Sequence, residues 1–214
     1  MKFGEEKNSV STPNCTVPIV FQGLFGLWLV LCFRYFWNHM GDDSYIFFRY
    51  ADHIAQYNSL KWNIQGQSVE GFSSPLWVCW LGIWCRFWDV AVVARCTGLF
   101  CLLAACWQIV RQSRGSITGV VVLSLLMGVQ YWATSGLETP LYLWLLISIV
   151  PLLSIRKNEE GRSTKKMWSW MALAALGVTR PEAPVLVLLV VAFRWWQDKR
   201  CFGMYALFPM GLWQ

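Results

Sequence analysis

The chain is organised around Gly41-Asp42-Asp43-Ser44-Tyr45-Ile46-Phe47-Phe48-Arg49-Tyr50-Ala51, in which two adjacent carboxylates open a short amphipathic segment between two very apolar ones. Adjacent carboxylates disfavour each other's charged form, and charges near a bilayer are retained where something uses them. Asp42 and Asp43 are therefore candidate functional residues. The alternative is that one of them only caps the following helix, because Asp is a favoured N-cap. One carboxylate can cap while the other takes part in chemistry.

The composition around this stretch is that of a membrane protein. Of the 214 residues, 56% are hydrophobic and 14% are charged, whereas soluble domains have about 25% charged residues. The net charge of +6 comes from short basic tracts between apolar runs, and such tracts are signals of membrane topology. We expect a multi-pass protein of the inner (plasma) membrane, with the lipid bilayer as a partner and no nucleic acid.

The apolar runs predict an all-α, polytopic helical bundle. Residues 1–14 are polar and predict a cytoplasmic tail, and residues 15–214 form the transmembrane domain. Within it, residues 38–89 are expected to be the first outer loop. Six apolar runs are the candidate spans, and the first three approach the roughly 20 residues that a bilayer requires: 17–37, 90–110, 117–133, 141–155, 168–178 and 183–196.

The first outer loop is predicted to contain juxtamembrane helices. Apolar residues recur at helical spacing from Tyr45 to Tyr57, which indicates an interfacial helix. Residues 75–88 are apolar but would form a helix of only about 21 Å, against a hydrocarbon core of about 30 Å. If this segment does not cross, the later basic tracts share the side of Lys2 and Lys7, as the positive-inside rule favours. We therefore expect it to lie at the outer interface.

Three further short motifs fall on the same predicted outer face. They are Val69-Glu70-Gly71-Phe72, Ser135-Gly136-Leu137-Glu138-Thr139-Pro140 and Thr179-Arg180-Pro181-Glu182. With the stretch at residues 41–51, this set resembles the GT-C glycosyltransferases, in particular the terminal arabinofuranosyltransferase-like members. Those carry DDAYIxFRYA-type, VEGY/F, SGLETPL and TRPE segments in the same order. The resemblance covers about residues 41–184.

The resemblance implies an enzyme that transfers a sugar from a polyprenyl-phosphate-linked donor to a glycan or glycolipid acceptor outside the cytoplasmic membrane. Asp43 or Asp42 would be the catalytic base, since a carboxylate can accept the proton of the acceptor hydroxyl. The remaining candidates, which would bind substrate, are Arg49, Glu70, Glu138, Arg180 and Glu182. Arg180 or Arg49 would neutralise the charge on the leaving phosphate.

Each of these residues also has a purely structural interpretation. Arg49 can pair locally with Asp42 or Asp43, Glu138 can cap the next helix, and Arg180-Pro181-Glu182 can be a simple turn between helices. A polar loop by itself accounts for Glu70.

No cofactor beyond the lipid-linked substrate is expected. His39 and His53 lack a pattern of further close ligands, so we predict no metal site, although a divalent ion is not excluded by the sequence. The cysteines in apolar surroundings have no CxxC spacing and are expected to be packing thiols.

Two other classes of function compete with this prediction. One is a non-catalytic membrane subunit or an inactive truncated remnant, because members of the family run well beyond 214 residues. In that case a second polypeptide would supply the missing spans. The other is a transporter, but the carboxylates cluster in outer loops whereas transporters place them near the midplane.

Overall fold

The computed structural model describes residues 19–64, 71–113, 121, 127–153 and 163–198. Within these residues the fold is all-helical, with eight helices and no strand, which confirms the predicted fold class at that level. In chain order the helices are α1 Ile19–Phe36, α2 Ser44–Tyr57, α3 Pro75–Trp84, α4 Val90–Gln112, α5 Met127–Thr134, α6 Thr139–Leu153, α7 Ser163–Leu176 and α8 Ala183–Asp198. The predicted tail at residues 1–14 lies outside the described residues.

Local sequence signals account for where α2, α3 and α4 begin or end. α2 ends at Asn58, whose φ of 50° is in the left-handed region that Asn tolerates at a helix C-terminus. α3 begins with Pro75, at the first turn where a missing N–H has no cost. α4 is capped by Asp89, whose Oδ1 accepts a hydrogen bond of 3.0 Å from the Val92 N–H.

The membrane-spanning potential of the helices is uneven. Among the described residues, Val90–Gln112 is the single helix that is both long and apolar enough to cross a bilayer by itself. A second candidate exists if Gly128–Thr134 and Thr139–Leu153, which meet at an angle of 114°, count as one broken span. The apolar helices Pro75–Trp84, Met167–Leu176 and Ala183–Trp196 are shorter. At 10 residues, α3 is about 15 Å long, roughly half of a hydrocarbon core.

Two apolar clusters hold the described helices together. One joins α2, α3 and the start of α4, with Tyr50, Trp77 and Leu81 fully buried. The other joins α6, α7 and α8 around Leu152, Leu173 and Val187. Cys85 donates a hydrogen bond of 2.9 Å from Sγ to Asp52 Oδ1, which ties the end of α3 to α2.

Helices α4 and α6 run side by side in the same direction. Gly98, in the first half of α4, faces Ala133 and Pro140 at the end of α5 and the start of α6. Towards the C-terminal ends of α4 and α6, the Gln112 side chain donates a hydrogen bond of 3.1 Å to the Ile147 carbonyl. Ser148 Oγ donates one of 2.9 Å to Gln108 Oε1. The start of α4 and the α5–α6 turn therefore lie at one end of the bundle.

The end of α1 lies at this same end, since Thr134 Oγ1 contacts the Phe36 carbonyl at 3.4 Å. The connection from α1 to α4, which is the predicted first outer loop, thus begins and ends at one end of the bundle. This geometry agrees with the expectation that α3 does not carry the chain across.

Candidate functional site

Backbone and side-chain hydrogen bonds bring the predicted motifs together. The Gly41 N–H donates a hydrogen bond of 3.0 Å to the Ser135 carbonyl, and the Leu76 N–H donates one of 3.3 Å to the Val178 carbonyl. Trp77, fully buried, donates 3.1 Å from Nε1 to the Gly136 carbonyl. The stretch at residues 41–51, the turn at 135–138 and the turn before Arg180 therefore meet around the start of α3.

Gly136 makes this close approach possible. Its φ is +87°, a conformation that side-chain-bearing residues rarely adopt, and a Cβ there would lie 2.9 Å from Phe48 and 3.1 Å from Ser44. The turn at residues 135–138 can therefore pack directly on the first turn of α2 only because a glycine occupies this position.

The loop motif around Gly71 reaches the same region through Tyr50. The Gly71 N–H donates 3.0 Å to the Tyr50 hydroxyl, and Phe72 packs edge-on against the Tyr50 ring at a centroid distance of 4.8 Å. Glu70, predicted as a substrate-binding residue, lies outside the described residues.

Arg180 is held between two carboxylates. Its Nε lies 3.1 Å from Glu182 Oε1 and 3.4 Å from Glu138 Oε1, while the Glu138 side chain is 6% exposed. The Nε atom is itself buried and makes no aligned hydrogen bond in the described structure, so these contacts are charge pairs rather than directed bonds. The Arg180 side chain as a whole is 38% exposed, so part of it is open to solvent.

Tyr142 completes this cluster, and sequence analysis did not single it out. Its ring lies under the Arg180 guanidinium, at 5.7 Å from the centroid, within the range of a cation–π contact. The signal was available in retrospect, because Tyr142 is four residues after Glu138 and such residues share one side of a helix. We name Glu138, Tyr142, Arg180 and Glu182 the Arg180 cluster.

Glu138 has an unusual electrostatic environment. Burial raises the pKa of the Glu138 carboxyl, and the negative charges of Glu182 and Asp43 raise this pKa further. Its own backbone N–H and the Arg180 charge lower the pKa without cancelling the effect of burial. Asp43 lies near this cluster because its neighbours in the chain pack on the same turn. The Gly41 N–H bonds to the Ser135 carbonyl, and a Cβ at Gly136 would lie 3.1 Å from Ser44.

Asp42 and Asp43 are both exposed. Asp43 occupies the N-cap position of α2 but its side chain makes no capping hydrogen bond. The first turn is instead closed by backbone bonds and by Ser44 Oγ, which donates to the Gly41 carbonyl. Capping by the Asp43 side chain is thus not observed, and this carboxylate is exposed to solvent.

Arg49 faces a different part of the molecule. Its guanidinium lies 4.2 Å from the centre of the Trp62 ring, and its Nη2 donates 3.4 Å to Asn63 Oδ1. Neither the local pairing with Asp42 or Asp43 nor a contact with the Arg180 cluster is found for Arg49 in the described structure. The other two motifs have both a structural position and a charge contact. Glu138 directly precedes α6, and Arg180-Pro181-Glu182 forms the turn from α7 to α8. Their side chains also form the ion pairs described above.

No group of three or more His, Cys, Asp or Glu side chains that could hold a metal ion occurs in the part of the chain that the structure describes. Comparison of the chain with protein-family models, curated proteins and solved structures finds no significant match. Functional inference therefore depends on the geometry around Arg180 and Asp43.

Proposed function

We propose that the protein is a membrane glycosyltransferase of the GT-C type, which uses a polyprenyl-phosphate-linked sugar as donor and a glycan or glycolipid as acceptor. The observation that carries this proposal is that the turn of Glu138, paired with Arg180, packs against the chain around Asp43 at one end of the bundle. An exposed carboxylate can act as the base and a partly exposed guanidinium can stabilise the leaving phosphate when a hydroxyl displaces it.

The reaction assigns one task to each group. Asp43 accepts the proton of the acceptor hydroxyl. At the same time the hydroxyl oxygen forms a bond to the anomeric carbon of the donor sugar. The bond from that carbon to the lipid phosphate breaks in line, and the bonding electrons leave on the phosphate oxygen. Arg180 stabilises the charge that develops there. Glu138 and Tyr142 hold the guanidinium in position, so little ordering is needed when the donor binds.

A lipid tail has a suitable surface directly beyond Arg180. The first turns of α8 expose Val185, Leu188 and Leu189, which recur at helical spacing along one side. A polyprenyl chain places its anion at headgroup depth and its hydrocarbon in the bilayer. The proposed path of the donor therefore runs from Arg180 along the exposed face of α8, in a multi-pass protein of the plasma membrane.

Binding of polyprenyl phosphate to the full chain in nanodiscs tests the proposal. We expect Arg180→Ala to weaken binding about tenfold or more, and Arg180→Lys to weaken it less, because lysine keeps the charge but loses the planar fork. Arg86→Ala is the matched control, since Arg86 is exposed and bonded to Asn58. Equal affinity of wild type and Arg180→Ala would show that the Arg180 cluster does not bind the donor phosphate. The cluster would then have only a structural role, as in a non-catalytic subunit.

A further inference from the structure

A second concave surface lies on α2, separate from the Arg180 cluster. Arg49, His53 and Tyr57 follow one another at four-residue spacing, so they share one side of the helix. Asn63 and Ile64 of the following loop form the opposite wall of an open groove of about 540 Å³. We call this surface the α2 groove. None of its five lining residues is acidic.

The guanidinium of Arg49 is oriented in advance. Its Cζ lies over the Trp62 ring at 4.2 Å from the centroid, within the range of a cation–π contact. The Trp62 ring in turn packs at 5.6 Å from Tyr50, which is fully buried. Within the described ranges, which stop at residue 64 and resume at 71, the contact of 3.4 Å to Asn63 occupies one of the five N–H groups of arginine. The other donors can bind an acidic group with little loss of side-chain freedom.

His53 is fixed in the middle of the groove. Its Nδ1 lies 2.6 Å from the Lys61 carbonyl, so Nδ1 carries the proton and donates it. Nε2 of the neutral ring is then an acceptor, and it becomes a donor when the ring is protonated. Next to it, the Tyr57 ring packs at 5.9 Å from His53 and is 53% exposed. The groove therefore combines a fixed cation, a fixed imidazole, an amide and an exposed aromatic face.

We propose that the α2 groove binds an acidic saccharide, a segment of the acceptor glycan that carries a carboxylate or phosphate group. The Arg49 fork matches the geometry of such an anion, the imidazole and the Asn63 amide match hydroxyl groups, and the Tyr57 face packs on the apolar side of a sugar ring. The identification of this saccharide as the acceptor rests on the proposed function, whereas its binding does not.

The spacing along α2 fits an extended acceptor. From Arg49 to Tyr57 the groove is roughly 12 Å long, and Arg49 lies roughly 9 Å along the helix axis from Asp43. Six residues of helix also turn the chain to about a third of a turn short of two full turns, so a chain of sugars bound in the groove would reach the proposed base by curving around the first turns of α2. The donor phosphate at Arg180 and the acceptor in the groove would approach Asp43 from different sides.

The test is binding of a galacturonate oligosaccharide to the full chain in nanodiscs, with the neutral galactose oligosaccharide of equal length as comparison. We expect tighter binding of the acidic probe, and a loss of about tenfold or more in Arg49→Ala, with a smaller loss in Arg49→Lys. Arg111→Ala is the matched control, because Arg111 is also exposed and stacked on a tryptophan, at 5.1 Å from Trp107.

Failure of this inference is distinguishable from failure of the proposed function. No preference for the acidic probe, or an equal loss in Arg49→Ala and Arg111→Ala, would overturn the groove as a site. Arg49→Ala should also keep wild-type affinity for polyprenyl phosphate, and a parallel loss of both ligands would overturn the assignment of two separate sites. Selective loss of the galacturonate probe in a chain that binds no polyprenyl phosphate would retain the groove and remove the glycosyltransferase.

Discussion

Glu138 shows how a single residue can serve structure and chemistry together. Its side chain is almost fully buried, which is costly for a charged carboxylate unless a partner compensates. Arg180 provides that partner, yet burial still raises the pKa of Glu138 above the ordinary 4.5. Burying the charged Glu138 therefore lowers the stability of the folded protein, while the ion pair fixes the orientation of Arg180. Such a cost is expected where the position of a charged group matters more than stability.

The raised pKa predicts a pH dependence of folding. A carboxyl whose pKa is higher in the folded than in the unfolded state favours folding fully below the ordinary pKa, and this contribution is lost as pH rises through the folded pKa. Wild type should therefore lose stability relative to Glu138→Gln between about pH 4 and neutral pH, because Gln does not titrate. Thermal unfolding of both proteins in detergent across this range measures the difference. A gap that changes in the opposite direction would show that the Arg180 pair dominates over burial.

A second prediction concerns Asp43 as the base. Replacing it with Asn keeps the shape but removes proton acceptance, so transfer of labelled sugar from a polyprenyl-phosphate-linked donor should fall by about 10² to 10⁴. Asp89→Asn is the matched control, because Asn caps a helix as well as Asp does and Asp89 caps α4. Asp42→Asn should have a smaller effect. Near wild-type turnover in both Asp42→Asn and Asp43→Asn would exclude the pair from the chemistry.

At the residue scale, the structure brings some of the predicted candidates together, while their roles stay predictions. The pairing of Glu138 with Arg180 joins two motifs that the resemblance had placed on one face. The contacts of Arg49 were not predictable, because its flexible side chain packs against Trp62 and bonds to Asn63, which belong to an irregular loop. Loop paths have no periodicity that a sequence pattern can reveal.

At the scale of elements, the approach of α4 to α5 depends on Gly98. A Cβ at this position would overlap the Ala133 carbonyl oxygen, which is backbone and cannot turn aside. We therefore expect Gly98→Ala to destabilise the protein by about 1–3 kcal/mol through overpacking. Gly128→Ala is the matched control, since a Cβ there meets nothing within 4 Å and alanine favours helix. Chemical denaturation in detergent measures both, and equal stability of the two variants would contradict close packing at Gly98.

The helices themselves were largely predictable and their junctions were not. The apolar period from Tyr45 to Tyr57 predicted a helix, and α2 occupies Ser44–Tyr57. The bend of 114° between α5 and α6 depends on the left-handed backbone of Gly136 and on its contacts with Phe48 and Ser44. Those contacts involve residues far apart in sequence, so no local pattern could have indicated them.

At the scale of the whole molecule, the arrangement of the ends carries the functional argument. The end of α1, the start of α4 and the turns that contain Glu138 and Arg180 lie at one end of the bundle. The charge pattern predicts that this end faces outward, because the basic tracts follow the opposite ends of the helices. A lipid-linked donor and an extracytoplasmic acceptor can meet at the site only if that orientation holds.

Cysteine labelling from each side of the membrane tests the orientation. In a cysteine-depleted background, Leu60→Cys and Trp88→Cys should react with an impermeant maleimide added outside, since both positions are exposed and lie between α1 and α4. Arg111→Cys, near the opposite end of α4, should react only after permeabilisation. The physical reason is that α3, about 15 Å long, cannot carry residue 88 across a core of about 30 Å. Labelling of position 88 from the cytoplasm alone would separate Asp43 from Arg180 by a bilayer and remove the shared site.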